Sequence, residues 1–198
     1  MLTFKRVCFI STLCVLALTV GCASPSGPSV RYGDSKGVET VNTDFGSTDL
    51  QTIAESMASS LLDSRVVIDS REPPRVTVYD VKNKTSEYID TSAITAKIRS
   101  QLTRSGRVRF TVSTSEMQNQ VDELKRQNQS GLYSAQTQTR MGNMNGAKYR
   151  VEGFIGSIVK QTKDVKDVFY NFHLSLINNE TGDIEWEDEK EIRKTASR

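Results

Sequence analysis

Sulfur, imidazole and indole are scarce in this chain: 198 residues hold three cysteines, one histidine and one tryptophan. Cys8, Cys14 and Cys22 all fall in the first 22 residues, so a leader ending at Gly21 would leave one cysteine and exclude both a disulfide and a thiolate metal site. The lone His173 has no Cys, His or Asp at ligand spacing, and reads as a surface or second-layer residue rather than a catalytic base. There is no Gly-x-Ser-x-Gly elbow, no supported Ser-x-x-Lys and no phosphate-cradling glycine loop. Carboxylate pairs such as Asp183 and Glu185 are too common on charged strands to imply acid–base work. An enzyme is not expected, and neither is a cofactor or a metal. An excess of charge is missing too. Beyond residue 21 the chain has 24 basic and 24 acidic residues, so bulk charge gives no support to a nucleic-acid partner.

What is present begins with MLTFKRVCFISTLCVLALTVGC. Lys5 and Arg6 form a basic start, Val7 to Leu18 is an apolar run too short to span a bilayer, and Thr19-Val20-Gly21-Cys22 closes it. This is the pattern of a bacterial lipoprotein signal, with Thr19 where Leu is usual. Cys22 is expected to become the first mature residue, an S-diacylglycerol, N-palmitoyl cysteine. Each buried methylene contributes ~0.8 kcal/mol, so three acyl chains anchor the protein in effect permanently. Ala23 and Ser24 lack the aspartate that retains such proteins at the inner membrane, which favours the periplasmic face of the outer membrane.

The expected organisation is a signal peptide at 1–21, a flexible tether at 22–46 and one domain at 47–198. The tether is rich in Pro, Gly and polar residues; ~25 flexible residues span roughly 25–30 Å. Residues 38–45 can add an edge strand or dock on the domain. From Thr48, Leu50, Ile53, Ala54, Met57, Ala58, Leu61 and Leu62 form one helical stripe, with Thr48 and Gln51 spaced as a capping box. Residues 65–68 suggest a short strand, 75–81 a β-branched strand after Pro73-Pro74, and 82–85 a turn. Ile94, Ile98 and Leu102 predict a second helix, capped in front by Thr91 or Ser92 and behind by Gly106. Residues 108–112 predict a strand. Ser113 with Glu116, ahead of Met117, Val121 and Leu124, predicts a third helix.

Residues 127–145 have no period and read as a long surface loop. Tyr149, Val151, Gly153 and Ile155 alternate, Gly153 and Gly156 suggest a bend or bulge, and Ile158-Val159 continues the strand. Val168, Tyr170, Phe172, Leu174 and Leu176 alternate without a break, so all five share a face and His173 lies on the other. Residues 178–183 turn the chain into a returning strand through Ile184 and Trp186. The charges at 187–194 read as a solvated edge that discourages association of edges, and the domain is expected to be a monomer.

Four segments taken in order, TDFGSTDLQTIAESMASSLL at 43–62, RVTVYDVKNKTSEYIDT at 75–91, IRSQLTRSGRVRF at 98–110 and NETGDIEWEDEKEIRK at 179–194, resemble the LpoB family of outer-membrane lipoproteins. GAKYRVEGFIGSI at 146–158 fits the same pattern. The resemblance implies an α/β domain, a mixed β-sheet flanked by helices, similar to the N-terminal domain of the Tol system's propeller protein and ending here in a β-hairpin. It also implies a partner: a bifunctional class A penicillin-binding protein, whose glycan-polymerising and cross-linking activities the lipoprotein raises in peptidoglycan synthesis. The tether departs from the enterobacterial pattern in being short and without a long Pro and Gln tract. The rival expectation is an envelope assembly or secretion lipoprotein with a related domain, similar to the curli-pore family. That role needs transmembrane strands of ~10 residues, for which the charged hairpin at 165–192 is a poor candidate.

Overall fold

The computed structural model describes residues 31–112 and 114–197. The leader and Cys22 lie outside the described residues, as does Ser113 with its proposed capping box. Residues Ser35–Arg198 form one compact unit, and the description below concerns that unit.

Chain order runs α1 (Ser47–Leu62), α2 (Arg65–Ile68), β1 (Arg75–Val78), β2 (Lys82–Lys84), α3 (Thr91–Ser105), β3 (Arg109–Phe110), α4 (Thr114–Gln129), β4 (Tyr149–Gln161), β5 (Val165–Asn178) and β6 (Ile184–Ser197). The sheet order is β3-β1-β4-β5-β6, with β2 also paired to β4. β1 runs parallel to β3 and β4, whereas β4, β5 and β6 are antiparallel. The result is the expected mixed sheet ending in a hairpin. β1 and β2 lie end to end along one edge of β4, opposite its residues 149–151 and 154–156.

Alternation along β5 assigns the core. Val168, Tyr170, Phe172, Leu174 and Leu176 are buried, and they join Ile53, Met57 and Leu61 of α1 with Ile94, Ile98 and Leu102 of α3 in one cluster. α1 and α3 therefore cover one face of the sheet, and burial of these side chains supplies the main driving force for folding. Gly106, at φ +69°, ends α3 as expected.

Several local expectations are corrected. Residues 65–68 form a helical turn, because the Val67 and Ile68 N–H groups find the Ser64 carbonyl three and four residues back. Residues 82–84 are a strand, held by pairing to β4 although all three side chains are exposed. Of 108–112 only Arg109 and Phe110 are in the ladder. α4 continues to Gln129, so the irregular segment starts later than residue 127. Asp90 caps α3 by accepting from the Ser92 and Ala93 N–H groups. β4 has no bulge at Gly153 or Gly156: its register with β5 is continuous from Tyr149 to Gln161, and the irregularity lies between Leu176 and Ile177 against β6. Gly153 provides clearance instead, since a Cβ there would sit 2.0 Å from the His173 carbonyl oxygen.

The start of α1 is closed from outside the helix. Gly46 precedes it, and the Gly46 N–H donates to Asp49 Oδ2 at 2.9 Å. The Ser47 N–H donates to Glu39 Oε2 at 2.8 Å. Thr48 and Gln51, expected to cap each other, reach back instead: Thr48 Oγ1 accepts from the Glu39 N–H at 2.7 Å and Gln51 Nε2 donates to the Ser35 carbonyl at 2.5 Å. Residues 38–45 form no strand and dock on the domain, as the second of the two expectations had it. Phe45 packs edge-on against Tyr170, with centroids 5.8 Å apart. The Tyr170 hydroxyl lies 2.6 Å from Glu87 Oε1 and 3.1 Å from the Thr43 carbonyl, and Glu87 Oε2 accepts from the Phe45 N–H at 2.9 Å. Burial first, and then Glu87, pushes the Tyr170 pKa far above the ordinary phenol value. Lys194 Nζ donates to the Asp44 carbonyl and to Asp49 Oδ2 at 2.7 and 3.0 Å.

Candidate docking face

The other face of the sheet carries the residues that alternate with the core. In β5 these are Asp167, Phe169, Asn171, His173 and Ser175. Register places Phe154 beside His173, Gly156 beside Asn171 and Ile158 beside Phe169 on one side. On the other side it places Glu189 beside His173, Glu191 beside Asn171 and Arg193 beside Phe169. β2 adds Lys82 opposite Phe154 and Lys84 opposite Gly156.

A row of contacts crosses this face from β2 to β6. Lys84 Nζ stands 3.9 Å above the centroid of the Phe154 ring. That ring stacks on His173 at 5.3 Å and 22°, and His173 Nε2 lies 3.6 Å from Glu187 Oε2. A parallel row runs closer to the strand ends, where the Arg193 guanidinium lies 5.9 Å from the Phe169 centroid and pairs with Asp167 at 3.4 Å. Ile158, beside Phe169, is 60% exposed. Along β6 the exposed residues Glu187, Glu189 and Glu191 form an acidic margin facing the basic one of Lys82 and Lys84. Between Tyr79, Asp80 and the two lysines on one side and Phe154 and His173 on the other runs a groove of about 480 Å³.

Ser175 shares the groove with His173, yet no hydrogen bond joins them among the described residues, so the pairing that activates a nucleophile is not formed. Among the described residues no cluster of His, Cys, Asp and Glu is arranged to hold a metal ion, and no helix is long and apolar enough to cross a membrane. An aromatic and aliphatic centre inside a charged margin is an arrangement common among surfaces that bind other proteins.

Of the residues singled out from sequence, His173 is at the middle of this face, opposite the core as alternation required, while Cys22 lies outside the described residues. Phe154 and Phe169 escaped notice, and Ile158, Lys84 and Glu187 were read only as part of a strand, a turn and a solvated edge. Phe169 had a readable signal: an aromatic one position out of phase with the apolar five. Phe154 had none, because its neighbour is decided by the register between β4 and β5.

Fold and face together define a small α/β recognition domain, one side devoted to its core and the other presented to solvent. The chain belongs to the LpoB family: the family model described as "Peptidoglycan-synthase activator LpoB" matches residues 49–192. Solved structures similar to it include the LpoB C-terminal domains of Escherichia coli, at 18% identity, and Salmonella enterica, at 16%. Each match covers 73% of this chain and 98% of that one, with a TM-score of 0.43. The lipoprotein GNA1162 of Neisseria meningitidis is similar at 13% identity, over 63% of this chain and 85% of that one, with a TM-score of 0.38. No curated protein matches the chain.

Proposed function

We propose that this chain is a lipid-anchored regulator that binds a bifunctional class A penicillin-binding protein and raises its peptidoglycan-synthesising activity, docking through the face of the sheet opposite α1 and α3. The family match over residues 49–192, which takes in β2, β4, β5 and β6 as far as Ile192, is the observation that carries this reading. The cationic, aromatic and acidic bands across β2, β4, β5 and β6 support it. Activation by docking requires tighter binding to the active conformation of the synthase than to the resting one. Acylation of Cys22 would hold the domain at the periplasmic face of the outer membrane. The curli-pore-like alternative is not favoured, because β5 and β6 are already committed to the sheet and β5 is buried under α1 and α3.

The test mixes residues 35–198 with the organism's class A synthases and lipid II. Saturable binding to one of them and faster glycan polymerisation are expected. Phe154→Ala combined with Glu187→Lys should weaken binding at least tenfold with little change in Tm. No binding to any class A synthase would remove the reading. Cys22→Ser should release the full chain from the outer-membrane fraction into soluble periplasm, and unchanged fractionation would require another anchor.

A further inference from the structure

Outside the groove at Phe154 and His173, at the β3 edge of the sheet, the parallel pairing of β1 with β3 sets Arg75 directly opposite Arg109. Paired strands are ~4.8 Å apart, and like charges facing each other across a ladder oppose folding. A neutralising carboxylate would be the usual remedy. None is there: among the described residues neither arginine makes an ion pair, and nor does Arg140, which joins them around a cavity of about 450 Å³ with no acidic residue in its wall.

The wall is assembled from distant parts of the chain. α4 presents Leu124, which is 6% exposed, and Gln120 one turn before it. The segment after α4 is fastened to that helix at Thr139, whose N–H donates to Gln127 Oε1 at 3.1 Å and whose carbonyl accepts from Asn128 Nδ2 at 2.9 Å. This fixes the chain next to Arg140. Phe110 and Met144 supply an apolar lining, and Asn143 and Asn145 supply amides.

The geometry points to a binding site for an acidic peptide segment, with two or more carboxylates held by Arg75, Arg109 and Arg140 and an intervening apolar side chain against Phe110, Leu124 and Met144. Guanidinium forks match carboxylates in a paired, directional way. The cavity is of the size that takes an organic ligand rather than a bare ion, and side-chain amides suit a peptide main chain. The first 30 residues of this chain contain no Asp or Glu, so that segment supplies no such ligand, and the occupant assigned here is a segment of another molecule. This site shares no lining residue with the groove at Phe154 and His173 and does not depend on which synthase is bound.

The probe is a blocked Asp-Leu-Glu tripeptide, with its Asn-Leu-Gln counterpart and inorganic phosphate as comparisons, titrated into ¹⁵N-labelled residues 35–198. The acidic peptide should shift the amides of Arg75, Arg109, Leu124 and Arg140, and its affinity should fall as salt is raised. Arg109→Gln and Arg140→Gln should each weaken it about tenfold or more, the range for a hydrogen bond to a charged group. Arg109→Gln should also leave Tm unchanged or raised, because it removes a like-charge contact; a lowered Tm would mean that the arginines hold the fold together and would overturn the assignment. Equal binding of the neutral peptide, or phosphate alone reproducing the same shifts at the same affinity, would overturn it as well. So would self-association abolished by the Arg75→Gln, Arg109→Gln, Arg140→Gln triple variant, which would assign the site to the acidic β6 of a second copy.

Discussion

The two faces of this sheet are woven from the same strands, yet they obey different rules. On the covered face, Tyr170 and Phe172 are fully buried and Leu174 almost so, inside one hydrophobic cluster. On the open face, Phe154 and His173 are half-buried, and their neighbours are charges. Alternation alone separates the two, so one residue step along β5 moves a side chain from the core to the open face. The covered face stabilises by area removed from water. The open face contributes little to stability and much to the pattern a partner would recognise.

The sharpest way to break this contrast is to remove one ring from each side. Phe172→Ala should cost about 3–5 kcal/mol in urea denaturation, the range for emptying a packed aromatic site, whereas Phe154→Ala should cost about 1 kcal/mol, the worth of an exposed ring contact. Equal losses would end the distinction between the faces. The two glycines of β4 offer a second comparison. Gly153→Ala, which thrusts a methyl against the His173 carbonyl, should cost about 3 kcal/mol, while Gly156→Ala meets open space and should stay within about 0.5 kcal/mol.

Tyr170→Phe keeps the covered face filled but strips Glu87 and the Thr43 carbonyl of a donor. A loss of about 1–3 kcal/mol is expected, together with faster hydrogen exchange at the Phe45 amide; unchanged exchange there would detach residues 43–46 from the core. The smallest effect belongs to Asp90, at the start of the helix that roofs the covered face. The Ser92 hydroxyl, followed by the Ala93 and Ser92 N–H groups, holds its carboxyl below the ordinary value of 3.8. Its contribution is therefore complete above that value and is lost as pH falls through the lower folded one. Asp90→Ala should lower Tm at pH 7, and the gap to the parent should close in acid below pH 3.8. A gap that persisted there would mean that the cap is not electrostatic.

Elements that bury a periodic stripe were legible in the sequence. The α1 positions Ile53, Ala54, Met57, Ala58 and Leu61 are all buried, Gly106 stops α3, and β5 alternates as read. Elements whose existence depends on a distant neighbour were not. Lys82–Lys84 has no pattern of its own and is a strand only because β4 runs beside it. The cap of α1 was assigned to Thr48 and Gln51 because local spacing suggested it, while the acceptor that takes the Ser47 N–H is Glu39, eight residues upstream. The same limit hid the docking face and the arginine cavity. Phe154 meets His173, and Arg75 meets Arg109, through register, which no single segment encodes.

The seating of residues 35–46 on α1 has a mechanical consequence. Any pull applied from the N-terminal side first loads the exposed bonds of Gln51 to Ser35 and Thr48 to Glu39. Only after these yield does force reach the buried Tyr170–Glu87 latch at Thr43 and Phe45. Peeling residues 35–42 would extend the chain by roughly 25 Å while the core stayed shut, so these residues are slack that tension can draw out before the sheet itself is put under load.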